Sequence, residues 1–189
     1  MMRSDANAVY VWDPLVRLSH WVVAFSALLA YYTHGGLLTV HRFAGYLVLL
    51  LVIARIAWGF VGNEHARFSN FVVSPTGTLR YLRLLMLGRE TRSIGHNPAG
   101  GAMIVVLLKL LLVIGASGWL LDTATYRDYR PLHSLHGICS DLLIGLTVVH
   151  IVGVLYGSWR HGENLVVSMI TGRKRPIVST KISENRSPK

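Results

Sequence analysis

Four apolar runs, each near the length needed to cross a bilayer, constrain this 189-residue chain more than any other feature. A span needs about 20 mostly apolar residues, because ~1.5 Å of rise per residue must cover ~30 Å of hydrocarbon. The runs extend over residues 18–33, 43–61, 102–121 and 135–158, the first being short. Hydrophobic residues make up 52% of the chain and charged ones only 15%, too apolar a balance for an ordinary soluble domain of this size. The expected fold is all-α: an integral-membrane four-helix bundle in a lipid bilayer, forming one domain over residues 1–176 with a polar, disordered tail over 177–189. Between the second and third runs, Ser74-Pro75 offers a helix start, and Leu79, Leu82, Leu85 and Met86 alternate with Arg80, Arg83 and Arg89. That spacing predicts a short interfacial helix. A second amphipathic stretch is expected from Glu163 to Thr171, stopped by Gly172.

The formal net charge of +10 would point to nucleic acid in a soluble protein, but here the basic residues lie in loops and tails between apolar runs. No nucleic-acid partner is expected. Fourteen Lys and Arg fall in the N-terminal segment, the second-to-third loop and the C-terminal tail, against three, Arg42, Arg127 and Arg130, on the other side. By the positive-inside rule both termini are expected to be cytoplasmic. No cleavable leader is expected, because the first apolar run has ionisable residues close by and no small-residue exit. The single cysteine, Cys139, excludes an intrachain disulfide, covalent haem attachment through C-x-x-C-H and a four-cysteine iron–sulfur cluster built by this chain alone.

Histidines mark the ends of the spans. His20 opens the first and His41 the second, while His136 and His150 lie near the two ends of the fourth. The last two are fourteen residues apart, nearly four helical turns, so they share a face and are separated by ~21 Å along the axis. One helix can then offer a ligand to each of two stacked haems. Alternating span direction pairs His20 with His150 at the cytoplasmic depth and His41 with His136 at the outer depth. Two bis-histidine sites fill every axial position of two irons, which favours electron transfer over oxygen binding, and no catalytic residue is expected. Gly45, Gly137, Gly145 and Gly153 would let a flat macrocycle approach the backbone. Two rivals stand beside this set: His34, fourteen residues after His20, for His41, and His133 for His136. The alternative for all of them is interhelical hydrogen bonding.

Two basic residues remain inside spans. Arg55 follows His41 by fourteen residues and so reaches the depth of the cytoplasmic pair; it either holds haem propionates or snorkels to the interface. Lys109, roughly two turns into the third span, has no evident acidic partner, leaving a propionate, a quinone oxygen or snorkelling open.

These residues resemble the bacterial cytochrome b561 family, in the broad sense that includes the cytochrome b subunits of nickel–iron hydrogenases. The likeness rests on Val11-Trp12-Asp13-Pro14 with Arg17-Leu18-Ser19-His20-Trp21, on His41, Gly45, Arg55 and Trp58-Gly59, and on Gly95-His96-Asn97-Pro98-Ala99-Gly100-Gly101. It continues through Leu135-His136-Gly137, Val149-His150-Ile151, His161-Gly162-Glu163-Asn164-Leu165 and Thr171-Gly172-Arg173-Lys174. The resemblance implies two haem b groups with axial ligands His20, His41, His136 and His150, and a place in the bacterial inner membrane. It implies electron transfer between the quinone pool, ubiquinone or menaquinone, and a redox partner such as a c-type cytochrome or a dehydrogenase. His96 matches a family motif, either near the cytoplasmic haem or quinone or as part of an Asn97-Pro98 turn. Because some members resemble a superoxide oxidase, transfer from superoxide to ubiquinone is an alternative, as is a subunit role in a larger respiratory complex. No hydrogenase-specific feature is visible.

Overall fold

The computed structural model describes residues 9–64, 66–90 and 95–175. The tail expected over 177–189 lies outside them. Strand β1 (Val9–Tyr10) precedes helices α1 (Pro14–Thr33), α2 (Leu38–Val61), α3 (Pro75–Met86), α4 (Pro98–Asp122), α5 (Arg130–His161) and α6 (Leu165–Thr171), with β2 (Arg173–Lys174) after them. A 3-10 turn, Phe68–Asn70, sits between α2 and α3. Helices α1, α2, α4 and α5 are each long and apolar enough to cross a membrane.

Each spanning helix extends beyond the apolar run that announces it, and at α1 and α4 a polar capping residue carries the helix outward. Asp13 starts α1 four residues before the apolar run: its Oδ1 accepts from Val16 N at 2.9 Å and Pro14 occupies the first turn. Asn97 does the same for α4, accepting from Gly100 N at 2.7 Å ahead of Pro98. The expected interfacial helix is α3, capped by Ser74, whose Oγ accepts from Gly77 N at 3.2 Å. The last helix, α6, begins at Leu165 rather than Glu163, since Asn164 is the residue that caps it.

Packing proceeds around the bundle, α1 on α2, α2 on α4 and α4 on α5, with α3 against α4 and α6 against α5. Its centre is Val48 and Val52 of α2, Leu110 and Leu111 of α4, and Leu143 of α5. Lipid tails are as apolar as these side chains, so close fit rather than water exclusion holds them. A Cβ on Gly115 of α4 would stand 2.9 Å from Leu49 Cδ1, which measures how near α2 and α4 approach.

The first and last described segments meet at one end of the bundle, hereafter the terminal end. β1 and β2 pair antiparallel, Val9 with Lys174 and Tyr10 with Arg173. Gly172, at φ +81°, ends α6 in the left-handed region, and its carbonyl accepts from Val11 N at 2.8 Å and Trp12 N at 3.1 Å. Asp13, 8% exposed, accepts further bonds at Oδ2 from Trp58 Nε1 at 2.8 Å and Asn63 Nδ2 at 3.2 Å. One carboxylate thus joins the start of α1 to the end of α2 and the loop beyond.

Candidate metal centres

The four histidines meet in two pairs. His20 of α1 faces His150 of α5 with ring centroids 6.4 Å apart, and His41 of α2 faces His136 of α5 with centroids 6.1 Å apart. Both pairs draw on α5, where fourteen residues set them ~21 Å apart along the axis, the first at the terminal end and the second at the opposite end. The close packing of the bundle does not include α1 with α5 or α2 with α5. The rings therefore face each other across wider interhelical intervals. A metal ion bound by two trans imidazoles at about 2.0 Å would set their centroids ~6.3 Å apart. Both separations match that value within the width of a rotamer adjustment.

Hydrogen bonds orient the second pair. His41 Nδ1 lies 2.8 Å from Ala30 O, and a carbonyl can only accept, so the proton is on Nδ1 and the Nε2 lone pair is free. Ser117 Oγ donates to Ile114 O at 3.0 Å and stands 3.0 Å from His136 Nδ1, which gives His136 the same tautomer. Each ring is thus poised as an Nε2 donor, held by the kind of outer bond that orients metal-ligating histidines. The first pair lacks such a bond at His20, whose Nδ1 is buried without a hydrogen-bond partner. Trp21 packs edge-on against that ring at 5.2 Å.

The rival histidines are elsewhere. His34 caps the exposed C-terminus of α1 with its Nδ1 2.5 Å from Tyr31 O. His133 is exposed and donates from Nε2 to Arg127 O at 2.7 Å. A Cβ built on Gly45, Gly137, Gly145 or Gly153 would meet no protein atom within 4 Å, so packing between helices is not what calls for glycine there.

The two basic residues within spans have opposite fates. Arg55 is 8% exposed; its Nη2 donates to Ala66 O at 3.3 Å, its guanidinium stands 5.4 Å from the Phe68 ring, and Nη1 is buried without an acceptor. Such burial excludes a snorkelling role. Lys109, by contrast, is exposed on the side of α4. His96 lies between Trp12 and Phe71, with centroids at 4.4 and 4.5 Å, immediately before the Asn97 cap. It precedes the start of α4 and packs at the terminal end.

Several residues of consequence were not singled out from the sequence. Ser117 orients His136, a role whose only one-dimensional trace is a hydroxyl near the end of an apolar helix. Asp141, the lone acid well inside a span, accepts from Tyr31 Oη at 3.1 Å. Near the opposite end Arg42 pairs with Asp122 at 3.1 Å, and Tyr46 Oη donates to the same carboxylate at 2.6 Å.

Comparison with known proteins places this arrangement in a family. Residues 11–172 match the family model described as prokaryotic cytochrome b561. A probable Ni/Fe-hydrogenase B-type cytochrome subunit of Azotobacter vinelandii is 31% identical, the match covering 88% of each chain. Its counterpart from Rhizobium leguminosarum bv. viciae is 24% identical over 90% of each. The probable Ni/Fe-hydrogenase 1 B-type cytochrome subunit of Escherichia coli K12 is 22% identical over 91% of this chain and 94% of its own. No solved structure matches the chain. The match spans every transmembrane helix and all four facing histidines, and the chain belongs to the prokaryotic cytochrome b561 family of membrane b-type cytochromes, which carry haem b.

Proposed function

We propose that this protein is a dihaem electron-transfer module, passing electrons between the quinone pool and a redox protein, with His20 and His150 as axial ligands at one depth and His41 and His136 at the other. The carrying observation is the pair of centroid separations, 6.4 and 6.1 Å, each the width of a bis-imidazole metal site. When bound, haem b supplies a one-electron iron couple at each level. The chain's own residues decide where those couples stand: α5 spaces them, and Ala30 O and Ser117 hold the outer rings with Nε2 forward. Two histidines at each level would hold a haem from both sides, leaving no place for oxygen, so the chemistry such a group would supply is electron exchange. Arg55, with Nη1 buried and without an acceptor, is the donor available to a propionate at the terminal-end site.

The excess of Lys and Arg in the terminal segments supports a cytoplasmic terminal end, in a bacterial inner membrane. The partner is then a redox protein at the outer face, of the dehydrogenase or hydrogenase kind in view of the relatives' names, or a c-type cytochrome. Quinol oxidation releases two electrons and two protons, and haem b held at the two levels would supply one-electron couples to take the electrons in turn. Superoxide as donor is the less favoured reading, because Arg42, one of three outer basic residues, is already paired with Asp122.

The purified protein should yield two haem b per chain by pyridine-haem quantification, and added quinol should reduce them. One haem per chain, or haems inert to quinols of both the ubiquinone and menaquinone type, would refute the proposal. Stopped-flow reduction by superoxide near the diffusion limit would favour the other donor. The Ser117→Ala substitution should loosen the outer haem alone by about tenfold, as outer-shell changes do at metal sites. Transfer of haem to an apoprotein scavenger would measure this, and equal loosening at both sites would contradict the assigned role.

A further inference from the structure

At the terminal end, the first turns of α1 and the end of α6 form an open cleft of about 470 Å³, lined by Pro14, Arg17, Leu18, Trp21, Met169 and Ile170. Its apolar wall continues along α1. Leu18, Phe25, Leu29 and Tyr32, at spacings of seven, four and three residues, share one side of that helix and are all exposed. The stripe leads from the cleft down into the hydrocarbon.

Two side chains of this apolar cleft carry polar groups, and each has a donor left over. Arg17 donates from Nη1 to Ile170 O and from Nη2 to Tyr10 Oη at 3.2 Å, both neutral acceptors, and its Nε is buried without one. Asp13, one turn earlier, is taken up by Val16 N, Trp58 and Asn63, so the guanidinium has no carboxylate partner among the described residues. Trp21 Nε1 is likewise buried without an acceptor, while its ring packs edge-on against His20 at 5.2 Å. Buried donors without acceptors are costly and rare in native folds, so these two call for an acceptor from outside the chain. Their heights suit a membrane lipid. Arg17 comes just before the first apolar run and Trp21 just inside it, ~6 Å apart along the axis. The headgroup layer of one leaflet is about 5–8 Å thick, half the difference between a bilayer's full width and its hydrocarbon core.

We propose that this cleft binds one net-anionic phospholipid, with its phosphate on Arg17, its ester oxygens at Trp21 Nε1 and an acyl chain along Leu18, Phe25 and Leu29. Charge decides for a phosphate: a guanidinium with only neutral partners is complementary to a phosphodiester, whose oxygens its fork of donors matches. A quinone head offers neutral carbonyls and leaves that charge unanswered. No carboxylate lines the cleft, so a headgroup with its own ammonium finds no counterpart there, whereas an anionic headgroup needs none. Bound in this way, the lipid bridges α1 and α6 beside the helix turn that carries His20. Its binding requires neither haem nor quinone, so it stands or falls separately from the electron-transfer reading.

The test uses the full-length, haem-loaded protein, stripped of lipid in detergent and titrated with phosphatidylglycerol, with bound lipid counted by native mass spectrometry. Wild type should retain one phosphatidylglycerol per chain and hold phosphatidylethanolamine several-fold more weakly. Arg17→Gln removes a charge-assisted bond and should weaken phosphatidylglycerol binding roughly tenfold or more; Trp21→Phe removes an N–H while keeping an aromatic ring and should weaken it roughly threefold. Arg80→Gln, on exposed α3, makes the same change in net charge outside the cleft and should leave binding as it is. An unchanged midpoint of thermal unfolding shows that the variants are folded. Where Arg17→Gln also frees α6, Trp21→Phe carries the test. Equal binding of the two lipids, or indifference to both cleft substitutions, would overturn the proposal. So would equal weakening by Arg80→Gln, as a general field of positive charge gives. Displacement of the lipid by inorganic phosphate at matching concentration would reduce the cleft to a bare anion site, and displacement by a short-chain ubiquinone would make it a quinone site; either sinks the lipid reading.

Discussion

On the proposed ligation, replacing His41 by alanine is expected to remove one of the two proposed haems, while replacing His34 by alanine leaves both. The two histidines look alike in sequence, each at the edge of an apolar run and within reach of the same depth. Their surroundings differ. His41 stands 6.1 Å from His136 with its Nδ1 proton committed to Ala30 O, leaving Nε2 for a metal. His34 is exposed at the end of α1 with its Nδ1 against Tyr31 O. Removing one of the two histidines that would hold the haem at this level would leave it a single protein ligand, and loss of the group would follow readily. Pyridine-haem quantification should therefore fall by about half in His41→Ala and His136→Ala. In His34→Ala the haem content and the reduced-minus-oxidised spectrum should match wild type. Half-loss with His34→Ala and none with His41→Ala would reverse the assignment.

The second large effect is expected at Asp13. Its carboxylate caps α1 through Val16 N and accepts from Trp58 Nε1 and Asn63 Nδ2, and the residue is buried. Alanine there loses an N-cap worth about 1 kcal/mol and leaves two donors short of an acceptor, each at a cost of about 1–3 kcal/mol. The sum, roughly 3–5 kcal/mol with allowance for rearrangement and water, is large for a single substitution. The Asp13→Asn variant keeps a good capping oxygen but turns an N–H toward one donor, so its stability should fall between. The observable is the midpoint of thermal unfolding in one detergent, followed by helical circular dichroism. A midpoint in Asp13→Ala equal to that of wild type would show that the three contacts carry no net stability. The substitution should loosen the terminal end first, where His20, His96 and both strands are anchored.

Apolar run length predicts the spanning helices well, because a bilayer imposes a minimum length that few other folds need. Their bounds are less legible. Pro14, Arg17 and Arg130 lower local hydropathy, yet Asp13, Asn97 and the prolines after them extend the helices beyond the hydrocarbon width. A capping motif is local and can be recognised when sought. The roles of Ser117 and Asp141 cannot be found that way, since Ser117 is nineteen positions from His136 and Asp141 is 110 from Tyr31.

By itself the sequence determined an all-helical membrane bundle, four histidines at two depths and the pairing that their depths allow, because hydropathy and the 3.6-residue period are properties of a segment taken alone. Tertiary structure decided what depends on direction around each helix and on distance between them. It turned His41 rather than His34 toward His136, buried Arg55 and left Lys109 facing outward. Two residues at one depth can point to opposite sides of a bundle, and only the packing of helix against helix chooses between them.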